Sequence, residues 1–212
     1  TNTYNINGTG NLVVESGATL QLTNAAGITN DGLTGSIRLT GSRSFSSNLN
    51  FIFTKNDGVN QSKTGSSFGS EITSVNNVTF NNPLGSRISG NLTVNGNLNV
   101  VVGKLNTDAN KLTIANGGSI TVNDSTWVVG NLEKYASVGS SSLTYQVGPD
   151  SLTYTPVTLN MNSVSTPGNI SVRAVSGSHP SSSSSASFSF LSLSSKPIIS
   201  ASESENLFNF KR

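Results

Sequence analysis

The sequence predicts an all-β protein: a parallel β-solenoid (β-helix) followed by a small antiparallel β-sheet or sandwich-like domain. Three observations carry that prediction. First, apolar residues recur in alternating pairs between Ser89 and Lys134: Leu92/Val94, Leu98/Val100, Leu112/Ile114, Ile120/Val122 and Trp127/Val129, with Leu105 between. Alternation over three or four residues, punctuated by Asn-Gly, Gly-Gly and Asn-Asp, reads as short strands. It never settles on the 3.6-residue period a helix needs. Second, the pairs start about six to eight residues apart, so a coil of three strands closes after about 20 to 22 residues. Leu92 then lies under Leu112 and Leu98 under Ile120, each rung burying its inward side chains against its neighbours. Third, charged residues are only 10% of the chain and apolar residues 33%, against roughly 25% charged in an ordinary globular protein. Polarity must come from Asn, Ser, Thr and Gly, which suit tight turns and amide ladders. A thin inner stack needs few apolar residues.

The solenoid is expected over residues 1–134. Leu12/Val14 and Leu20/Leu22 read as two strands joined through Glu15-Ser16-Gly17-Ala18. Ile28 and Ile37/Leu39 supply the next candidates, with Asn30-Asp31-Gly32 as a corner, because Asp-Gly and Asn-Gly reach positive φ at little cost. Phe51, Phe53, Phe68 and Phe80 are expected to fill wider positions of the same core. Asn56-Asp57-Gly58 reads as another corner, and Gln61 to Phe68 as a polar excursion off the coil.

After Lys134 the strands become longer and more widely spaced: Ser142 to Val147, Tyr154 to Met161 and Ile170 to Val175. Pro149, Pro156 and Pro167 sit near their ends, where a missing amide donor is tolerated. A small antiparallel β domain is therefore expected over 135–180, with a boundary near Tyr135 to Gly139. Residues 181–185 are all serine and read as a linker. Residues 186–212 either join the small domain or stand apart from it.

Composition also excludes function classes. Twelve basic against ten acidic residues give a net charge of +2, with no clustered basic stripe of the kind nucleic acid requires. The absence of cysteine removes disulfide frameworks, thiolate metal sites and cysteine nucleophiles. No apolar run approaches the roughly 18 residues that span a membrane, so no membrane insertion is expected. Thr1 is not followed by the basic and apolar regions of an export signal, which is expected to have been removed or to lie outside this sequence.

The succession NFIFTKNDGVNQSKTGSSF, VNNVTFNNPLG, GNLTVNGNLNVVVGKLNTDANKLTI, STWVVGNLEK, LTYQVGPDSLTYTPVTLNM, PGNISVRAV and GSHP resembles repetitive secreted proteins of the Bacteroidetes. These are large surface or gliding-type adhesins and related cargo of the type IX secretion system. The resemblance covers about Asn50 to Pro180, and the order of the segments is more specific than any one of them. It includes the V-x-G-x-L-x-K segment ending at Lys134 and the Y-x-V-G…Y-x-P-V-x-L segment from Tyr145 to Leu159, which in that family lead from solenoid into a small β domain. The resemblance implies an extracellular or cell-surface location. After His179-Pro180, where such proteins continue into an aromatic-rich strand, this chain runs into serines. The C-terminal sorting domain of type IX cargo is not evident.

Candidate chemistry is sparse. His179 is the single histidine, in a turn-like Gly177-Ser178-His179-Pro180 context, and a catalytic histidine needs a buried orienting partner. Asp31, Asp57, Asp108, Asp124 and Asp150 sit in turn-like loops without Asp-x-Asp-x-Asp spacing. They read as corner residues satisfying local amides rather than as calcium ligands. Glycoside cleavage needs two carboxylates roughly 5 to 10 Å apart, and the 92–129 region offers mainly Asn and Thr. Lys104, Asp108 and Lys111 form a small mixed cluster that reads as a solvated edge. Tyr4, Tyr135, Tyr145, Tyr154 and Trp127 are candidates for stacking on sugars. Trp127 reads either as a core or interdomain plug or as a ligand platform, the plug being favoured.

These observations together predict an extracellular structural or adhesive protein without catalysis: a stalk, filament subunit or surface adhesin segment, with no cofactor and no metal. The alternative is a carbohydrate-binding or polysaccharide-cleaving β-helix protein. Phe188, Phe190, Leu191 and Leu193, on the far side of the serine run, are the candidate assembly residues. An alternating segment on a tether is suited to adding a strand to another subunit's edge. That makes self-association into a filament, or membership of a larger surface assembly, the expected partnership, with a glycan or surface ligand as a further partner. A disordered tail, or a strand folded back on its own sheet, is the competing reading.

Overall fold

The computed structural model describes residues 4–54, 58–176 and 192–193. Among them there is no helix, and twenty strands follow in chain order. The first ten are β1 (Ile6–Gly8), β2 (Leu12–Val14), β3 (Thr19–Leu22), β4 (Ile37–Leu39), β5 (Arg43–Phe45), β6 (Asn50–Phe53), β7 (Ser62–Lys63), β8 (Ser74–Val75), β9 (Val78–Asn81) and β10 (Ser86–Arg87). The remainder are β11 (Leu92–Val94), β12 (Asn97–Val102), β13 (Leu105–Ile114), β14 (Ser119–Thr121), β15 (Val128–Ala136), β16 (Gly139–Tyr145), β17 (Val147–Gly148), β18 (Val157–Val164), β19 (Gly168–Val172) and β20 (Ser192–Leu193).

Most pairings are parallel and join strands far apart in sequence. One ladder runs β3–β6–β9–β12–β14, with Leu20, Phe51, Val78, Leu98 and Ile120 in register along it. A second runs β7–β10–β13–β15–β17 through Ser62, Ser86, Leu105, Val128 and Val147. A third runs β8–β11 and then through the C-terminal halves of β13 and β15, with Leu92, Leu112 and Leu132 in register. The expected stacking of Leu92 with Leu112 and of Leu98 with Ile120 is therefore observed. At the N-terminal end β1 pairs with β4 and β2 with β5, both parallel.

Alternation decides which side chains enter the core. Leu92 and Val94, Leu98 and Val100, and Leu112 and Ile114 are buried while the residues between them are not fully so, apart from Thr113, which is buried. The four phenylalanines meet as expected: Phe53 stacks on Phe80 with centroids 5.1 Å apart, and Phe68 meets Phe51 edge-on at 5.1 Å. Such contacts stabilise by about 0.5–1.5 kcal/mol beyond area burial.

Polar corners are built as the composition requires. Asn50 Oδ1 accepts from the side chains of Asn76 and Asn77 at 3.1 and 2.9 Å. Asn77 Oδ1 accepts from the Asn97 amide at 2.8 Å, and Asn97 Oδ1 accepts from the Ser119 hydroxyl at 3.0 Å. Side-chain amides thus climb the corner from one strand to the next.

Strand β13 serves two ladders because it bends. Its pairing with β15 shifts register between Asn106 and Lys111, and Asp108 sits at φ 51° with its amide donating to Asn106 Oδ1 at 2.7 Å. Opposite the bend, a Cβ on Gly130 would lie 2.1 Å from Thr107 Oγ1. Only glycine fits there.

Residues 61–68 depart from expectation. They stay in the ladder: Ser62–Lys63 pairs with β10, and Ser62, Thr64, Ser67 and Phe68 are buried. Two of the inward hydroxyls find polar partners, Asn82 donating to Ser62 Oγ at 3.1 Å and the Ser89 amide donating to Thr64 Oγ1 at 2.9 Å, whereas Ser67 Oγ has none among the described residues. Ile28 is buried but outside any strand.

Beyond Lys134 antiparallel pairing enters. β16 pairs with β18, and β19 pairs with β15 with Leu132 opposite Val172 and Lys134 opposite Ile170. β17 continues the second ladder in parallel on Val128–Val129. Residues 56 and 57 of the expected Asn56-Asp57-Gly58 corner lie outside the described residues, as does His179.

Candidate functional site

In the third ladder the residues between the inward ones form a second row: Ser74, Thr93, Thr113 and Glu133 in register. Above Thr93, Thr113 and Glu133 of this row opens a groove of about 550 Å³, lined also by Thr73, Asn91, Lys111, Asn116, Tyr135 and Asn169. Glu133 is its one acidic residue and Lys111 its one basic residue.

Glu133 is 2% exposed although it stands on the outer row. A carboxylate so buried needs compensation. Its Oε1 accepts the Thr113 hydroxyl at 3.0 Å, and its Oε2 lies 3.0 Å from Lys111 Nζ. That second contact is held by charge rather than by direction, since Oε2 accepts no aligned hydrogen bond. Lys111 is fixed from behind, its amide donating to Asn91 Oδ1 at 2.8 Å. Its side chain is 40% exposed, so the groove presents a cation whose charge is balanced from beneath.

The other lining groups differ from the amides of the corners. Asn50, Asn77 and Asn97 are engaged in the ladder described above, whereas the side chains of Thr73, Thr93, Asn116, Tyr135 and Asn169 make no hydrogen bond among the described residues. Thr93, Tyr135 and Asn169 are nevertheless half-buried.

Lys134 follows Glu133 and faces the other way, in register with inward Ile114. Its ammonium donates to the Thr144 carbonyl at 2.6 Å and to Gln146 Oε1 at 3.1 Å, and it lies 5.7 Å from the Tyr145 ring centroid. Burial pulls its pKa down to about 8. The Tyr145 hydroxyl donates to the Ile170 carbonyl at 2.9 Å; burial, and then the nearby Glu133 charge, push its pKa up. This inward cation ends the apolar row of Val94 and Ile114, where β16 and β19 close over the stack.

The residues singled out from sequence are distributed as follows. Asp108 pairs with Arg87 at 3.2 Å, Lys111 with Glu133, and Lys104 donates to the Ser125 carbonyl at 2.8 Å while lying 4.0 Å over the Trp127 ring. Lys104, Asp108 and Lys111 thus belong to three separate contacts rather than to one cluster. Asp31 is held well below the carboxylate range by the Thr34 hydroxyl and by the amides of Thr34 and Leu33. Asp150 is lowered by the amides of Leu152 and Thr153. Both carboxylates cap turns. Trp127 is 4% exposed, stacks on Tyr154 at 5.4 Å and donates to the Asp150 carbonyl at 2.8 Å: it plugs the join between the second ladder and the 148–155 loop. Among the described residues no group of three or more His, Asp or Glu is placed to hold a metal ion.

Phe188, Phe190 and Leu191 lie outside the described residues. The backbone of Ser192–Leu193 pairs antiparallel with β19, Leu193 opposite Ile170. Sequence reasoning missed Glu133 altogether, because one glutamate in an alternating stretch carries no sign that a lysine about 20 residues earlier lies beside it on the next strand.

These features define an all-β protein of mostly parallel, stacked strands with a polar groove on one face. No family model, curated protein or solved structure matches the chain.

Proposed function

We propose that the stacked ladders close into a β-solenoid and that the chain is an extracellular, non-catalytic structural or adhesive element, a stalk or surface adhesin segment of the Bacteroidetes type it resembles. The observation that carries this reading is the in-register column Leu20–Phe51–Val78–Leu98–Ile120. Such a column extends by about 4.8 Å for each added coil, giving stiffness through backbone hydrogen bonds and a thin apolar stack. Low charge and polar corners built of uncharged amides suit a surface exposed to variable salt, where ion pairs are screened.

Self-association is part of the reading. β19 offers its edge to Ser192–Leu193 of the same chain, and the identical edge of a second copy accepts the identical strand, as in strand exchange. The test is protease shaving of intact cells that produce the protein, with light scattering of the purified chain and of a chain ending at Pro180. Removal of the protein from intact cells, and smaller particles after truncation, are expected. Protection until lysis contradicts the surface location, and unchanged particle size contradicts the connector.

A further inference from the structure

We infer that the groove over Thr93, Lys111, Glu133, Tyr135 and Asn169 is a binding site for a neutral glycan chain. The inference rests on the surface-exposed reading above and gives it a ligand class. Two observations carry it. The groove is long enough to cross several strands, from Thr73 on one side to Asn169 on the other, and holds about 550 Å³. Its walls bring together hydroxyls and amides with no partner among the described residues, two of them half-buried beside a half-buried tyrosine. None of these polar atoms is sealed from solvent, so each can exchange a water for a ligand group, and a convergent set of hydroxyls and amides fits a ligand rich in both donors and acceptors.

Charge narrows the class. Lys111 is the cation, but Glu133 lies 3.0 Å beneath it, so the pair presents directional N–H donors with no net charge. An acidic polysaccharide would meet an ammonium whose charge the buried Glu133 already balances, and so gains little over a neutral one. Sugar hydroxyls both donate and accept, which matches threonine, asparagine and tyrosine side chains on strands about 4.8 Å apart. Tyr135 adds an apolar ring face of the kind that packs against sugar C–H groups. Glu133 is a positioning residue here: it fixes the ammonium rather than touching the ligand.

The test is affinity electrophoresis of the full chain through gels containing dextran, mannan, xylan, a soluble β-1,3-glucan, alginate or polygalacturonate. Retardation by at least one neutral polysaccharide is expected, weakened tenfold or more by Tyr135→Ala and by the isosteric Thr93→Val, with the melting temperature of Thr93→Val unchanged. Retardation by no neutral polysaccharide, retardation by the acidic ones alone, or retardation indifferent to both variants overturns the inference. Protease shaving reads the surface location independently, so a failed glycan result leaves that reading standing, and the reverse also holds.

Discussion

Leu98 and Ile120 occupy one column, adjacent and in register, yet they differ in surroundings. Leu98 is 0% exposed with strands on both sides. Ile120 is only partly buried, on the edge strand β14. Truncating Leu98 to alanine removes three buried carbons, about 2.4 kcal/mol of transfer free energy at about 0.8 per methylene. The cavity left between Val78 and Ile120 raises this to about 3–4 kcal/mol. Ile120→Ala removes the same number of carbons from a side chain that is mostly but not fully buried and leaves a notch open to water, so about 1.5–2 kcal/mol is expected. Replacing either by aspartate adds the penalty of an unpaired carboxylate, in full at Leu98 and in part at Ile120. Urea unfolding followed by circular dichroism, with hydrogen exchange over residues 89–134, reads both quantities. Equal losses for the two alanine variants, within about 0.5 kcal/mol, or a larger loss at Ile120, would refute the assignment of β14 to the edge.

Three further outcomes follow from the site and the corners. Because burial holds Lys134 down to about 8 against an ordinary 10.5, the unfolded chain binds more protons between those values, and stability rises with pH through that window. Partial exposure limits the gain to roughly 1 kcal/mol, and Lys134→Met should abolish the rise in denaturation curves taken from pH 7.5 to 9.5. Lys111→Met strands the buried Glu133 carboxylate and should destabilise by about 2–3 kcal/mol, less than for a fully buried pair because the lysine is part-exposed. Adding Glu133→Gln should recover most of that loss in a double-mutant cycle. A Cβ on Gly148 would lie 2.2 Å from the Thr153 carbonyl oxygen and 2.5 Å from Trp127 Nε1. Gly148→Ala should therefore displace the single tryptophan, red-shifting its fluorescence and destabilising by about 2 kcal/mol.

Much of the ladder was legible because its signal is local. Leu92/Val94 and Leu112/Ile114 alternate within three residues, and the spacing between pairs sets which strands stack. The aromatic core at Phe51, Phe53, Phe68 and Phe80 was legible for the same reason. Residues 61–68 were misread because Ser62 and Thr64 are polar by composition, whereas their burial depends on hydrogen bonds made to Asn82 and to the Ser89 amide. The groove was illegible for a related reason: Lys111 and Glu133 meet only once the register between β13 and β15 is known. The bend at Asp108, which shifts that register, leaves no periodic trace in the sequence.

The parallel register is the central claim, and the absence of cysteine allows a direct measurement. Asn99 and Thr121 are in register on β12 and β14, and Thr93 and Thr113 on β11 and β13. Parallel neighbours about 4.8 Å apart fall within the Cα separation a disulfide spans. Mild oxidation of the Asn99→Cys/Thr121→Cys and Thr93→Cys/Thr113→Cys chains, read by mass spectrometry, should close one intramolecular disulfide in each. The offset pair Asn99→Cys/Ile120→Cys should stay reduced, because its side chains point to opposite faces. Free thiols in both in-register pairs, or a disulfide in the offset pair, would contradict the stacked parallel architecture.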